Sequence, residues 1–349
     1  MSDISKILIV AGGTGGHIFP ALAIARELKR HSIDIEWLGS TDGMENIIVP
    51  KNGIKLHDVH AVGLRGKSLK KLIMAPFFLS FAILQTFKII LKVKPDMVIG
   101  MGGFVSGIGG IVSKMMSIPL VIHEQNAIPG TTNRILSKIA SQTFQAFDNT
   151  FDTRINAITC GNPIAFHVVD KEGSHSKLNL LVLGGSLGAN SINETIPKLS
   201  IDMNIWHQTG ENHIQHVRSM YAQSDNQKST LKIEPFIEDM AEAYAWADIV
   251  ICRSGAMTIS ELIATKSVAI LVPFPYAIND HQTKNAMILS DLGAAILIKE
   301  DKLNPNMLDK IIENIDLKDM TTRLQSIENI DSVKLITDYL LMPSLSNKS

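Results

Sequence analysis

The chain has 349 residues, of which 45% are hydrophobic, and its 33 Lys and Arg residues nearly balance 34 Asp and Glu residues, for a formal net charge of -1. This length accommodates two ordinary α/β domains, each with its own core. The charge balance argues against a general nucleic-acid-binding protein, which carries a basic excess. The two cysteines, Cys160 and Cys252, fit no disulfide or metal-site spacing and suit a reducing cytosol.

The chain opens on a predicted strand, a glycine-rich turn and a helix. The apolar run Lys6–Val10 is followed by the turn from Ala11 to His17, and a helix is predicted over about Pro20–Lys29. Such a turn presents backbone N–H groups at a helix N-terminus, where a phosphate is favoured. The turn lacks the third glycine of the dinucleotide fingerprint, which would fall at Ile18, and the Lys-Ser/Thr of a P-loop. It therefore predicts a backbone anion site for a ligand other than NAD or ATP, or simply a tight strand–helix turn.

A histidine stands at the start of this first helix. The helix dipole there disfavours a positive charge on His17, which leaves a neutral imidazole able to act as a base. A helix-capping or packing histidine is the alternative. The rest of the first half alternates strands with helical patterns, which predicts a parallel sheet covered on both faces. The further strands of this half are Ile35–Leu38, Met97–Ile99, Leu120–His123 and Gln142–Ala146.

An unusually apolar segment, Leu72–Leu84, lies between the predicted strands Ile35–Leu38 and Met97–Ile99. Gln85 and Lys88 interrupt it, so it falls short of the roughly 20 residues that span a bilayer. Apolar residues rimmed by Lys and Arg dock on anionic membranes, whereas a core helix with solvated ends gives the same pattern. The flanking basic residues are Arg65, Lys67, Lys70, Lys71, Lys88, Lys92 and Lys94.

Two polar or glycine-rich loops follow later strands of this half. Gly100–Gly110 is rich in glycine, which indicates close approach of the backbone to a ligand or a helix. His123, Glu124, Gln125 and Asn126 follow a strand directly, a position typical of ligand-binding residues in parallel sheets. No second histidine or carboxylate pair supports a metal site there.

The second half repeats the architecture after a boundary near Cys160–Pro163. The predicted domains are residues 1–162 and 163–349, with a last helix able to pack back on the first domain. A second glycine turn, Gly184–Ala189, follows the first strand of this half and predicts a second phosphate site. The strands are Leu178–Leu183, Met203–His207, Leu231–Glu234, Asp248–Cys252, Val268–Val272 and Ala294–Ile298.

Two loops of the second half carry further candidate residues. In the segment from Ser254 to Glu261, Thr258 and Glu261 match a capping box, in which Glu261 bonds only the backbone. The alternative is that Glu261 accepts hydrogen bonds from a ribose diol, as acidic residues do in dinucleotide enzymes. The polar segment Asp280–Ala286 suits recognition of sugar hydroxyls or simply begins a helix.

These motifs, in this order, closely resemble the MurG family, the peripheral-membrane N-acetylglucosaminyltransferases of bacterial cell-wall synthesis. The resemblance extends from the first strand to about Ala286. The matching stretches are AGGTGGHIFPALA, GLRGK, GMGGFVSGIGG, HEQNAIPG, GNP, GGSLGAN, IWHQTG, FIEDMAEAYAWADIVICRSGAMTISE and VPFPYAINDHQTKNA.

The resemblance implies an α/β fold of two Rossmann-like domains with parallel sheets facing a cleft, the GT-B glycosyltransferase fold. It implies a donor, UDP-GlcNAc, in the C-terminal domain and a lipid-linked MurNAc-pentapeptide acceptor at the N-terminal glycine loops. It also implies membrane docking through Leu72–Leu84 at the cytoplasmic face of the inner membrane. No nucleic acid, metal or cofactor is implied.

The resemblance assigns roles to individual residues. Glu261 holds the ribose, the Ile237 segment meets the uracil, and Gln282 contacts the GlcNAc hydroxyls. The residues implied at the diphosphate are Ser186, Ala256, Met257, Thr258, Ile259 and Ser260. Those implied at the donor sugar or the acceptor are Thr14, Gly15, Gly16 and Asn126. Two departures affect donor contacts: Ala165 stands where many members carry Arg, and Leu187 where many carry Gln.

The implied reaction is direct displacement at the anomeric carbon with inversion, which requires a base and stabilisation of the leaving diphosphate. His17 is the first candidate base and Glu124 the second. The sequence has no Asp-x-Asp metal motif, so backbone N–H groups at helix N-termini are expected to replace a cation. The alternatives are a UDP-GlcNAc epimerase and a non-catalytic nucleotide-sugar-binding membrane scaffold.

Overall fold

A computed structural model describes residues 4–61, 74–166, 168–171, 173, 176–185, 188–224 and 230–342. The chain divides into two compact units. The first unit runs to Ala165 and resumes at Ile330, and the second runs from Phe166 to Asn329. The predicted site residue Ser186, its neighbour Leu187, and the flanking basic residues Arg65, Lys67, Lys70 and Lys71 lie outside the described residues.

The first unit is built on a seven-stranded parallel sheet of order β3-β2-β1-β4-β5-β6-β7. Its central strands are buried apolar runs, because helices cover both faces of a parallel sheet. The order reverses between β1 and β4, and ligands of such sheets bind at the carboxyl ends of the strands beside this point. The strands are β1 (Lys6–Val10), β2 (Asp34–Ser40), β3 (Lys55–Val59), β4 (Met97–Gly100), β5 (Leu120–Glu124), β6 (Gln142–Gln145) and β7 (Ile158–Thr159).

The helices of the first unit pack on both faces of this sheet. The C-terminal helix belongs to this unit: Ile336 and Leu340 lie in the same core as Leu22 and Leu28 of the first helix, and Tyr339 packs edge-on against Phe144. The helices are α1 (Gly15–Arg30), α2 (Glu45–Lys51), α3 (Ala75–Val93), α4 (Phe104–Met115), α5 (Thr131–Leu136) and α13 (Ser332–Leu341).

The second unit has a six-stranded parallel sheet of order β10-β9-β8-β11-β12-β13. It repeats the reversal seen in the first unit, here between β8 and β11, so its ligand edge is again the carboxyl end of the central strands. The strands are β8 (Asn179–Leu183), β9 (Asn204–Gln208), β10 (Thr230–Glu234), β11 (Ile249–Cys252), β12 (Val268–Leu271) and β13 (Ala295–Leu297).

Three helices of the second unit begin at an Asp or Asn residue whose side chain caps the helix. Asn304 accepts a hydrogen bond from the Met307 N–H at 2.9 Å, and Pro305 occupies the first helical position, where its missing N–H carries no penalty. Asp239 caps the helix Met240–Trp246 in the same way, because its side chain accepts a hydrogen bond from the Glu242 N–H. The helices are α6 (Asn190–Thr195), α7 (Ile214–Gln223), α8 (Met240–Trp246), α9 (Ala256–Thr265), α10 (His281–Ser290), α11 (Pro305–Asn314) and α12 (Leu317–Ser326).

The predicted parallel α/β architecture is confirmed, and all eleven predicted strands are present with ends shifted by a residue or a few. The two edge strands of the first sheet, β3 and β7, were not predicted. The first helix begins at Gly15, before the predicted Pro20. Pro20 therefore lies inside the helix, where it has no N–H to donate to the carbonyl of Gly16.

Helix α3 carries apolar side chains on both its buried and its exposed face. Its 18-residue window Pro76–Val93 is long and apolar enough to cross a membrane by length and composition, and 22% of that window is buried. One face, with Ala82, Ile90 and Val93, packs into the core of the first unit. The other face exposes Phe77, Phe78, Phe81, Leu84 and Leu91. The predicted residues Leu72 and Ile73 of this segment lie outside the described residues.

Candidate functional site

The first glycine turn places His17 in the first turn of α1. Thr14 is the extended N-cap residue, without a side-chain capping bond, and its carbonyl accepts hydrogen bonds from the N–H groups of His17 (3.1 Å) and Ile18 (3.3 Å). Thr14 is exposed, whereas Gly15, Gly16 and His17 are partly accessible. The turn therefore presents a short backbone ledge with an imidazole beside it.

A side chain of the protein, Glu45, is hydrogen-bonded to the backbone of this turn. Glu45 is fully buried, and its Oε2 accepts a hydrogen bond from the Gly13 N–H at 3.2 Å. Its Oε1 accepts from the N–H (2.8 Å) and hydroxyl (2.6 Å) of Ser40. Because a side chain at Gly12 would collide with this carboxylate, the glycine there makes room for Glu45. The Gly13 N–H of this turn is thus bonded to a side chain of the protein, and the anion site at the turn stays a prediction.

Glu124 holds the polar loop that follows β5. Its Oε1 accepts hydrogen bonds from the N–H (3.0 Å) and side-chain amide (3.1 Å) of Asn126. Its Oε2 accepts from the Gly130 N–H at 3.0 Å and from the Asn133 amide at 2.9 Å. Since both oxygens are engaged twice and the residue is 2% exposed, the geometry favours a loop-positioning role for Glu124 and leaves His17 as the first candidate base.

The glycine cluster after β4 packs against His17. A side chain at Gly102 would approach the Cε1 and Nδ1 atoms of the imidazole to 2.6 Å, and Gly102 has a φ of +104°. Gly103 has a φ of +82° and lies against the carbonyl of Gly12. Close backbone approach was predicted for this cluster, and its target is the first glycine turn with its histidine.

The described part of the second glycine turn shows why glycine is needed there. Gly188 has a φ of +80°, and a side chain on it would collide with the carbonyl of Thr209. Its N–H donates to the Gly185 carbonyl at 3.1 Å, and α6 follows from Asn190. The backbone is thus folded tightly against the neighbouring β9 loop.

Glu261 does not form the capping box that its spacing from Thr258 suggested. Helix α9 begins at Ala256 with Gly255 as its N-cap, so Glu261 is well inside the helix. Its Oε2 accepts a hydrogen bond from the hydroxyl of Tyr244 at 2.9 Å. The capping-box interpretation is therefore wrong, and Tyr244, which the sequence analysis did not single out, is the partner of Glu261.

The Glu261 carboxyl is a desolvated acid with one oxygen engaged. Burial raises its pKa to about 7, and the hydrogen bond from Tyr244 opposes that rise. Burial raises the pKa of Tyr244 well above its usual value, so its hydroxyl stays protonated and donates. Glu261 itself is partly accessible, and among the described contacts Oε1 has no protein donor. The second oxygen is thus placed to accept from a ligand hydroxyl.

Arg253, which the sequence analysis also missed, connects the loops around Glu261. Its guanidinium donates to the carbonyls of Val272 (3.1 Å) and Pro273 (3.2 Å) and forms an ion pair with Glu300. It also donates to the hydroxyl of Ser191 at 3.2 Å. A single arginine at the end of the apolar strand β11 was the available signal. Its fork of donors holds three loops of the carboxyl edge in place.

Two predicted contact groups are already engaged within the second unit. The Ile237 N–H donates to Gln208 Oε1 at 2.9 Å, which leaves its carbonyl for a ligand. Gln282 Oε1 accepts from the Phe274 N–H at 2.9 Å, so its amide nitrogen is the group left to meet a sugar hydroxyl. The adjacent residues Ala256, Met257, Thr258, Ile259 and Ser260 form the first turn and a half of α9.

Within the described part of the chain, no group of three or more His, Cys, Asp or Glu side chains is arranged to hold a metal ion. At the carboxyl edge of the second sheet, α9 begins shortly after β11 and presents its N-terminus there. The first N–H groups of α9 have no acceptor within the helix, and the helix dipole adds a partial positive charge at that point.

Two family models match the chain. The one described as the glycosyltransferase family 28 N-terminal domain matches residues 7–145, and the glycosyltransferase family 28 C-terminal domain matches residues 179–338. The two matches fall one in each sheet-containing part of the chain.

Named relatives match almost the whole chain. It is 57% identical, over 97% of its length and 98% of the relative's, to the UDP-N-acetylglucosamine–N-acetylmuramyl-(pentapeptide) pyrophosphoryl-undecaprenol N-acetylglucosamine transferase of Vesicomyosocius okutanii subsp. Calyptogena okutanii (strain HA). A protein of the same name from Shewanella woodyi is 41% identical, over 98% of both chains.

The fold is similar to solved glycosyltransferases. A crystal structure of Acinetobacter baumannii MurG matches with a TM-score of 0.81 and 34% identity, over 97% of this chain and 99% of that chain. The glycotransferase of kitacinnamycin matches with a TM-score of 0.72 at 14% identity, which supports the fold alone.

Proposed function

This chain belongs to glycosyltransferase family 28, and from that premise we propose that it transfers GlcNAc from UDP-GlcNAc to the 4-hydroxyl of a lipid-linked MurNAc-pentapeptide. The observation that carries the proposal is the 57% identity, over 97% of the chain, to a relative named for this transfer. The chain is thus an N-acetylglucosaminyltransferase of peptidoglycan synthesis.

The donor is proposed to bind at the carboxyl edge of the second sheet. Glu261 Oε1 accepts from the ribose diol, while Tyr244 holds Oε2 at 2.9 Å. The carbonyl of Ile237 faces the uracil, and the amide nitrogen of Gln282 reaches a GlcNAc hydroxyl. The N-terminal turn of α9, from Ala256 to Ser260, stabilises the diphosphate with its backbone N–H groups. Ser186 is proposed to contribute at the same place.

The acceptor is proposed to bind at the carboxyl edge of the first sheet. Thr14, Gly15 and Gly16 form the backbone ledge beside His17, and Asn126 is fixed nearby on the Glu124 carboxylate at 3.0 and 3.1 Å. His17 takes the proton of the 4-hydroxyl as that oxygen attacks the anomeric carbon. The bond from that carbon to the diphosphate oxygen breaks, and the configuration inverts. UDP leaves carrying the negative charge that the N-terminus of α9 stabilises.

The exposed face of α3 is proposed to dock on the membrane that carries the acceptor lipid. It presents Phe77, Phe81 and Leu84 to solvent, and Lys88 and Lys92 follow on the same helix. Aromatic and aliphatic side chains insert at the interface, while lysines pair with anionic headgroups. Crossing the bilayer would instead strip the buried face of α3 from the core, so docking is peripheral.

Transfer is tested with radiolabelled UDP-GlcNAc, supplied with and without lipid-linked MurNAc-pentapeptide. Label is expected in the lipid fraction only when the acceptor is present. Conversion of the donor without acceptor would indicate an epimerase. Donor binding with no turnover under either condition would indicate a nucleotide-sugar-binding scaffold. Either of the last two results would overturn the proposal.

Donor binding is expected to weaken as the pH falls through about 7, because burial raises the pKa of Glu261 to about 7 and only the ionised carboxylate accepts from both ribose hydroxyls. Between pH 8 and pH 6 the ionised fraction falls about tenfold, so the KM for UDP-GlcNAc should rise by about the same factor. The donor itself has no group that titrates near neutrality.

The matched control for this pH dependence is Glu261→Gln, which keeps the size of the side chain but cannot ionise. It should raise the KM for the donor at pH 8 and make it independent of pH between 6 and 8. A flat wild-type profile over this range would remove Glu261 from the ribose site.

A further inference from the structure

His123 is held in one tautomer by the carbonyl of Gly161. The ring is 1% exposed, and its Nε2 lies 2.9 Å from the Gly161 oxygen. A carbonyl oxygen only accepts, so Nε2 must carry the proton. Burial lowers the pKa of His123 to about 4, which keeps the ring neutral at physiological pH. Its Nδ1 is therefore an unprotonated acceptor.

The orientation of the Gln125 amide follows from the unprotonated Nδ1 of His123. Its Nε2 lies 2.9 Å from the carbonyl oxygen of Met101 and 3.2 Å from His123 Nδ1. Both of these neighbours only accept hydrogen bonds, so the amide nitrogen must face them. Gln125 Oε1 then points the other way, and it lies 3.1 Å from His17 Nδ1. Because an amide oxygen only accepts, His17 Nδ1 must carry a proton.

We infer that Gly161, His123 and Gln125 form a relay of hydrogen bonds that holds His17 in the Nδ1–H tautomer, with an unprotonated Nε2 as the base. His123 and Gln125 are positioning residues in this inference, because they act on the reaction through His17. The inference deepens the proposed function, in which His17 takes the acceptor proton.

The relay acts at two stages of the reaction. Before attack, it supplies the Nε2 lone pair that receives the proton of the 4-hydroxyl: the O–H bond breaks and an Nε2–H bond forms. After attack, the imidazolium carries a positive charge, and the Nδ1–H bond to Gln125 Oε1 stabilises it. A third group that orients the base in this way is the general arrangement of nucleophile, base and orienting partner.

Packing restricts the ring as well. Gly102 lies against the Nδ1–Cε1 edge of His17, where even a single added carbon would come within 2.6 Å. The backbone at Gly102 has a φ of +104°, a conformation that favours glycine. The imidazole thus has little room to turn its Nδ1 away from Gln125.

The tautomer is tested directly by ¹⁵N NMR on the full chain labelled at its histidines. The chain has 11 histidines, so a His17→Gln variant identifies the His17 resonances by difference. The wild-type protein is expected to show the Nδ1–H tautomer at His17. Gln125→Leu should shift His17 toward the Nε2–H tautomer. A wild-type Nε2–H tautomer would overturn the relay whatever the activity.

Kinetics supply the second readout. Gln125→Leu should lower kcat by about 10- to 100-fold, the loss typical when the hydrogen-bond partner that orients a metal-binding histidine is removed, with the donor KM nearly unchanged. The matched control is Gln145→Leu on the neighbouring strand β6. Gln145 is also a buried glutamine, bonded to Thr159 (3.0 Å) and the Phe151 N–H (3.1 Å), and its loss should leave kcat and the His17 tautomer unchanged.

A pair of His123 variants keeps the test decisive if Gln125→Leu does not fold. His123→Asn retains an acceptor near the position of Nδ1 and should preserve the His17 tautomer and most of kcat. His123→Leu deletes that acceptor, so it should lower kcat and shift His17 toward the Nε2–H tautomer. Equal kcat losses in the two variants, with the tautomer unchanged, would assign His123 a purely structural role. Transfer by the wild-type protein is scored separately, so failure of the relay is distinguishable from failure of the proposed function.

Discussion

Replacing His17 by alanine is expected to lower kcat by about 10²- to 10⁴-fold, the range that a positioned general base contributes. The KM values for donor and acceptor should change little, because His17 acts on the proton rather than on the substrates' binding groups. The loss should be larger than that of Gln125→Leu, since the relay only orients the base. The measurement is initial transfer rate with saturating UDP-GlcNAc and lipid-linked acceptor.

The matched control lies at the other end of the same helix, just beyond its last residue. His31 follows the last residue of α1 and is exposed beside Glu27, so His31→Ala removes an imidazole without touching the glycine turn. It should leave kcat unchanged. Full turnover in His17→Ala, with donor and acceptor bound as in the wild type, would exclude His17 as the base. Glu124 would then have to give up its four hydrogen bonds to serve in its place.

The fold could be predicted from the sequence because its signals are local. A fully buried parallel strand is a short apolar run, and each run predicted as a strand is one in the structure. Strand β3 was missed because it pairs only with β2 at the sheet edge. Its residues Lys55, His57 and Asp58 are polar, as an exposed edge allows, so no apolar run marked it.

The partners of the site residues could not be predicted, because they come from distant parts of the chain. Glu45 reaches the Gly13 N–H across 32 positions of sequence, and no spacing rule connects the two. Tyr244 and Glu261 lie on different helices. The capping-box pattern at Thr258 misled because it is purely local, whereas the start of α9 is set by Gly255 at the end of the preceding strand–loop segment.

The recognition motifs point to one candidate site region in each unit, yet they do not distinguish groups that would bind ligand from groups that hold the site together. Glu124 and Gln125 are adjacent in one motif, but the first is saturated by its own loop and the second connects two histidines. Only hydrogen-bond geometry separates these roles. Hydrogen-bond geometry also separates the two ends of the Gln282 amide. Its oxygen already accepts from the Phe274 N–H, so in the proposed function only its nitrogen is left for a sugar hydroxyl.

Replacing Phe77, Phe81 and Leu84 together by serine is expected to weaken binding to vesicles containing anionic lipid by about 10²- to 10³-fold. The three side chains are 71%, 47% and 60% exposed. Fully burying such a side chain is worth about 1.5–3 kcal/mol, and half-insertion of all three gives about 2.3–4.5 kcal/mol. Vesicle co-sedimentation measures the change, and transfer to a short-chain, water-soluble acceptor should be unaffected.

The matched control is a triple serine variant of Ile47, Leu231 and Leu292, which are also exposed apolar residues but do not lie on α3. It removes comparable apolar surface, and its vesicle binding should equal that of the wild type. Equal losses in the two triple variants would mean that general surface hydrophobicity, rather than the α3 face, drives binding.

Peripheral docking also requires that raised salt weaken binding, because the lysines beside this face pair with headgroups. Binding that survives both high salt and alkaline extraction would contradict it, since only a helix inserted through the bilayer resists both treatments.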